Sequence, residues 1–163
     1  MELLDFAIKL EQDAQQMYRE AGQITSSPAI RTMCGMLVED EQRHERIVRE
    51  LKANRTAYVE GDWGRLRNVY SELVKSGHEL IEESDDLKAL LAKAQQMEHE
   101  AAQMYQDLAD EMQNPQQKEL ALRLRGEELK HEKLVELTHE YVANPATVLE
   151  DSEFLWYGHE GMP

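Results

Sequence analysis

Shifted by 87 positions, the chain lies on itself. Glu11 falls on Glu98, Ala14 on Ala101, and Gln16-Met17-Tyr18 on Gln103-Met104-Tyr105. Without a gap, the same shift brings Pro28 onto Pro115, Leu37 onto Leu124 and Glu41 onto Glu128. It also brings His44-Glu45 onto His131-Glu132 and Val48 onto Val135. Eleven identities fall in the 38 positions from Glu11 to Val48, against roughly two or three expected for ordinary residue frequencies. The chain is therefore two copies of one unit, and the simplest way to bury both is against each other about an approximate two-fold axis.

Each copy reads as a pair of long helices. The first runs from about Leu3 to Gln23. Ser27 then caps and Pro28 starts the second, which weakens near Asn54, the proline occupying a position whose N–H has no helical partner anyway. The third opens at Ser84, with Asp85 and Asp86 suited to the positive end of a helix dipole, and continues to about Met112. Asn114-Pro115 repeats the cap-plus-proline start, and the fourth runs to about Val142, before Asn144-Pro145. Residues 54–84 connect the pairs. Leu66, Val69, Tyr70, Leu73 and Val74 follow helical spacing there, so a short helix is expected within a connection long enough to run back along the bundle. Two tight hairpins and one long crossover make an all-α four-helix bundle over residues 1–143. The remaining segment, 144–163, carries Phe154, Leu155, Trp156 and Tyr157 and is expected to pack on the bundle or on a second subunit.

The chemistry lies in where the apolar stripes are broken. The first helix shows Leu4, Ala7, Glu11, Ala14, Tyr18 and Ala21 on one face; the third shows Leu91, Ala94, Glu98, Ala101, Tyr105, Leu108 and Met112. The second carries Met33, Leu37, Glu41, His44, Val48 and Leu51, and the fourth carries Leu120, Leu124, Glu128, His131, Val135 and Thr138. Every helix thus aims a glutamate at the bundle interior. An unpaired buried carboxylate costs several kcal/mol, so four of them need compensation. Two divalent cations balance four carboxylates, and two imidazoles complete the ligand sets. Glu41-x-x-His44 and Glu128-x-x-His131 place acid and imidazole one turn apart on one face. Oxygen with imidazole suits iron or manganese at least as well as zinc. A third match, Glu136-x-x-His139, aligns with Arg49 and Lys52 and reads as coincidence on the surface.

Composition narrows the partners. The 163 residues carry a formal charge of −15, which disfavours nucleic acid and anionic membranes as partners. The acidic start Met1-Glu2-Leu3-Leu4-Asp5 is unlike a signal peptide, and a reducing cytoplasmic setting is expected. One cysteine, Cys34, leaves no disulfide framework and no four-cysteine metal site; it reads as a buried inert thiol.

At these residues the chain resembles the ferritin-like dinuclear-iron carboxylate proteins, and within them the rubrerythrin-like family. The pattern is one Glu from each of two helices with Glu-x-x-His from the other two. Glu-x-x-Ala-x-x-x-Tyr occurs twice, at Glu11 to Tyr18 and at Glu98 to Tyr105. The ending Asp151-Ser152-Glu153-Phe154 resembles the tails of stand-alone members. The resemblance implies a ferritin-like bundle holding two iron ions. Glu41 and Glu128 would bridge them, and Glu11, Glu98, His44 and His131 would be terminal ligands. Tyr18 and Tyr105 would hydrogen-bond to carboxylate ligands. It further implies reduction of hydrogen peroxide or dioxygen, and a homodimer. A four-cysteine rubredoxin module cannot be built from one cysteine, so an external, rubredoxin-like electron donor is expected. Two departures stand out. Ala101 replaces an additional ligand glutamate common in rubrerythrins, which makes the ligand set symmetric as in bacterioferritins. Gln42 stands where those carry a haem-binding methionine.

Two other functions fit the same motifs: ferroxidation and iron storage in a ferritin-type shell, and a metal-stabilised binding module without turnover. The tyrosines can instead serve as core packing or as a redox relay. Asp40 and Glu127, preceding the central glutamates in both copies, either orient a ligand histidine or face water. His99 is expected to be solvated, and Met17 and Met104 to fill the core.

Overall fold

In the computed structural model, residues 2–75 and 83–145 are described, and they contain five helices and no strand: α1 Glu2–Ile24, α2 Pro28–Lys52, α3 Trp63–Lys75, α4 Asp85–Glu111 and α5 Pro115–Ala143. The starts follow the expected local chemistry. Ser27 Oγ accepts from the Ile30 N–H at 3.3 Å, Ser84 Oγ from Leu87 at 3.2 Å, and Asn114 Oδ1 from Gln116 at 2.9 Å. Each cap satisfies an N–H that the helix cannot. The end of α2 is equally local. Asn54 adopts φ 57°, and its N–H reaches Leu51 O at 2.9 Å while Arg55 N–H reaches Glu50 O at 2.8 Å. This is the left-handed stop that glycine usually supplies and asparagine tolerates.

The helices pair as α1 with α2 and α4 with α5, and the pairs meet mainly through α1 and α4. The crossover helix α3 lies against α2 and α5, burying Leu66, Tyr70, Leu73 and Val74. It closes the side of the bundle opposite the α1–α4 contact. The fold is the expected all-α bundle with a long crossover carrying a short helix. The aromatic run Phe154 to Tyr157 and the tail from residue 146 lie outside the described residues.

The core divides into two apolar clusters. One gathers the C-terminal half of α1, the N-terminal halves of α2 and α4, the C-terminal part of α5, and α3; among its members are Tyr18, Met33, Leu37, Tyr70, Leu91 and Leu134. The other gathers the opposite ends and includes Ala7, Val48, Leu51, Tyr105, Leu120 and Leu124. The repeat explains the division: Leu37 and Leu124, equivalent by the shift of 87, sit in different clusters and are each about 1% exposed or less. Burying such a leucine contributes about 1.5–3 kcal/mol. Between the clusters, every long helix passes through a layer of acids and imidazoles.

One buried acid outside that layer holds the fold. Glu83 accepts from Thr25 Oγ1 at 2.8 Å, Ser27 N at 3.0 Å, and Ser26 Oγ and N at 3.0 and 3.1 Å. It ties the crossover end to the α1–α2 turn, satisfying backbone donors that would otherwise be buried unpaired.

Candidate metal centre

Glu11, Glu41, Glu98 and Glu128 come to the same layer because each occupies the inward position of its stripe, and none is more than 2% exposed. His44 and His131 lie one turn beyond Glu41 and Glu128 and are equally enclosed. One atom from each of Glu41, His44, Glu128 and His131 falls within 4.8 Å of the others. The imidazoles lie 5.4 Å apart between centroids, inclined by 20°.

The contacts separate into two halves. His44 Nδ1 lies 2.7 Å from Glu128 Oε1, 3.3 Å from Glu41 Oε2 and 3.7 Å from Glu11 Oε2. His131 Nδ1 lies 2.9 Å from Glu41 Oε1, 3.5 Å from Glu128 Oε2 and 3.9 Å from Glu98 Oε2. Glu41 and Glu128 each send one oxygen to either imidazole, whereas Glu11 serves only the His44 half and Glu98 only the His131 half. The approximate two-fold axis read from the repeat runs through this arrangement.

These atoms are close without being hydrogen-bonded. Among the described residues, the buried side-chain atoms lacking a hydrogen-bond partner are Glu41 Oε1, both Glu128 oxygens, Nδ1 of His44 and of His131, and Arg43 Nε. Five of these six converge on one point. Buried polar groups are nearly always paired, so lone pairs facing one another across such gaps suit a cation placed between them. The donor set of carboxylate oxygens and imidazole nitrogens fits divalent iron, manganese or zinc.

Electrostatics show the same tension. Burial, then the negative charge of Glu128, pushes the Glu11 carboxyl well above the usual carboxylate range, and burial with Glu41 and Glu128 does the same to Glu98. Burial opposes ionisation of Glu41 and Glu128 as well, but the imidazole charges override it and hold Glu41 well below the usual range and Glu128 below it. Burial would strip the imidazoles of their charge, yet Glu128 beside His44 and Glu41 beside His131 keep both well above the ordinary histidine range. The two histidines thus serve as counter-ions to the central carboxylates.

The tyrosines cross over. Tyr18 O–H, on α1, donates to Glu98 Oε1 on α4, and Tyr105 O–H donates to Glu11 Oε1. Burial, reinforced by the facing carboxylates, raises both phenols well above their usual value, so both remain donors. Asp40 and Glu127, left open between two roles by the sequence, face the imidazoles: Asp40 Oδ2 lies 3.2 Å from His131 Nε2, and Glu127 Oε2 lies 3.1 Å from His44 Nε2. A carboxylate at Nε2 holds a proton on that nitrogen, so the proton on Nδ1, facing the interior, is the one that a cation would displace.

Three neighbours escaped the sequence reading. Arg43 forks onto Glu127, with Nη1 3.2 Å from Oε1 and Nη2 on Oε2, and Nη2 also reaches Asp40 at 3.4 Å. Tyr58 O–H donates to Glu127 Oε1 at 2.5 Å. Gly61 lies over the pair: a Cβ there would run into Arg43 Nη2 and stand 2.8 Å from Glu127 Oε2. The signal for Arg43 was present, since a shift of 87 makes it equivalent to Lys130. Tyr58 and Gly61 lie in the crossover, which has no second copy.

The remaining candidates behave as expected. Cys34 is buried and its thiol is pushed up to about 12 by that burial. His99 is exposed, 3.2 Å from Glu132, while Met17 and Met104 lie in the core. Glu136 pairs with Lys133 at 2.6 Å rather than joining a site with His139. A cleft of about 240 Å³ is lined by Tyr58, Gly61, Trp63, Gly126, Lys130 and the acids Asp40 and Glu127, and reaches His131. No helix among the described residues is long and apolar enough to cross a membrane.

No curated protein and no solved structure matches the chain. The family model described as Rubrerythrin matches residues 2–138, a span that contains α1 to α4, α5 up to Thr138, and every residue of the acid–imidazole layer. By that match, and with the duplicated Glu/His layer at its centre, the chain belongs to the rubrerythrin family.

Proposed function

We propose that the layer holds two iron ions and that the protein reduces hydrogen peroxide or dioxygen with electrons from an external donor. The observation that carries this is the division of the Glu41 and Glu128 oxygens between His44 and His131. It creates two adjacent ligand sets, Glu11 with His44 and Glu98 with His131, joined by two shared carboxylates. Two ferrous ions held there would supply one electron each, enough with two protons to convert one peroxide into two waters.

The chain's own residues do the rest. Tyr18 and Tyr105 fix the outer glutamates, while Asp40 and Glu127 hold the imidazoles with Nδ1 turned inward. The apolar clusters above and below exclude bulk water, which strengthens these contacts and confines reactive species. The cleft that His131 lines has room for a peroxide or dioxygen molecule. The one cysteine among the 163 residues is buried with its thiol held protonated, so the electrons are proposed to come from a donor outside this helical domain, of rubredoxin type by family resemblance. A homodimer completes the proposal.

Stopped-flow mixing of the iron-loaded, reduced protein with peroxide or with oxygen tests it. Oxidation far faster than that of free ferrous ion is expected, and oxidation no faster would overturn the proposal. Size-exclusion chromatography separates the storage alternative: a dimer excludes a cage, while an assembly of about half a megadalton, the order of size of closed multi-subunit shells, would favour it.

A further inference from the structure

Resting on the metal reading above, we infer that the site has one fixed half and one exchangeable half, and that Arg43 is the positioning residue that fixes the first. The repeat alone argues for equality. Asp40-Glu41-x-Arg43-His44 and Glu127-Glu128-x-Lys130-His131 carry acid, acid, base and imidazole in the same places, with a guanidinium in the first copy and an ammonium in the second. That difference, together with the crossover, which occurs once, breaks the equality.

On the His44 side the outer carboxylate is immobilised. Glu127 takes both prongs of the Arg43 guanidinium and the Tyr58 O–H, and Arg43 Nη1 is itself anchored on Val59 O at 2.8 Å. Arg43 Nη2 also stands 3.2 Å from His44 Nε2, so Glu127 Oε2, 3.1 Å from that nitrogen, keeps two donors compatible. Gly61 lets the crossover backbone close over this cluster, since any Cβ there would collide with it. A planar fork with two parallel donors fixes a carboxylate in orientation as well as position.

On the His131 side the support is thinner. Asp40 meets His131 Nε2 at 3.2 Å and has one long contact, 3.4 Å, from Arg43. Lys130, the counterpart of Arg43, lines the cleft and makes no ion pair among the described residues. Gly126 lies beside it, and a Cβ there would meet nothing within 4 Å. Glycine is a poor helix former, and at this position the missing side chain leaves open the cleft that His131 lines. The cleft touches Glu127, Tyr58 and Gly61 as well as Asp40, but of the two imidazoles His131 is the one on its wall, so the imidazole that a small molecule reaches from the cleft is the looser one.

The test is metal release. The protein is loaded with Co2+ and mixed with excess EDTA in a stopped-flow instrument, following the visible absorption of the bound ion. Two phases of equal amplitude are expected, about tenfold or more apart, since outer contacts of this kind change metal affinity by about 10- to 100-fold. Arg43→Lys should speed the slow phase by about tenfold and leave the fast phase unchanged. Tyr58→Phe should act on the same phase with smaller effect and serves if Arg43→Lys does not fold. Gly126→Leu, which fills the cleft, should slow the fast phase alone. Release of both ions in one phase, or variants that shift both phases equally, would overturn the inference while leaving the metal reading intact. Failure to take up Co2+ at all would overturn the metal reading, and this inference with it.

Discussion

Tyr105→Phe separates a ligand-holding role from simple packing. The ring is fully buried in the second apolar cluster, and phenylalanine preserves its volume there, so no cavity opens. What disappears is one hydrogen bond to Glu11 Oε1, on a carboxylate that is buried in the acid–imidazole layer. Hydrogen bonds to charged groups contribute about 1.5–3 kcal/mol when a buried acceptor is orphaned. For a chain of this size each kcal/mol shifts the melting temperature by about 2–4 °C, so a fall of roughly 3–12 °C is expected in the metal-loaded protein. Glu11 would also lose its fixed orientation, lowering metal affinity at the His44 half by about 10- to 100-fold. The assays are thermal melting by circular dichroism and equilibrium metal titration. The two-fold relation makes a further demand: Tyr18→Phe must give the same losses through Glu98. Were the tyrosines only core packing, both variants would be neutral. Unchanged melting and unchanged affinity would refute the reasoning.

Two other perturbations address parts of the fold away from the metal layer. Glu83→Ala removes the acceptor shared by Thr25, Ser26 and Ser27, and a loss of about 2–3 kcal/mol in urea unfolding is expected, most of it recovered in Glu83→Gln. Cys34, with its thiol pushed up to about 12, stays protonated between pH 7 and 9; a disulfide reagent should label it only after denaturation, and prompt labelling of the folded protein would contradict its burial.

What the sequence disclosed depended on whether a residue's partners were copies of itself. The helix starts at Ser27-Pro28 and Asn114-Pro115 were legible because capping is local. The six layer residues were legible because each interrupts an apolar stripe at the same place in both repeats. Asp40 and Glu127 could not be assigned, since helical position alone does not distinguish an acid facing an imidazole across the bundle from one facing water. Arg43, Tyr58 and Gly61 were missed because their contacts to Glu127 depend on how the crossover folds back. Glu83 was missed for the same reason, its partners lying more than 50 residues away in sequence. The asymmetry around the centre was thus carried partly by the crossover, which the repeat does not describe, and partly by Arg43 standing where the second copy has Lys130.

The most direct measurement is metal content after anaerobic iron loading, compared across three variants. The unaltered protein should retain two iron ions per chain. Glu11→Ala removes a group that serves only the His44 half and should retain one. Glu41→Ala and Glu128→Ala each remove an oxygen from both halves and should lose both ions. A chain that binds one ion or none, or a Glu41 or Glu128 variant that keeps two, would contradict the shared-carboxylate centre.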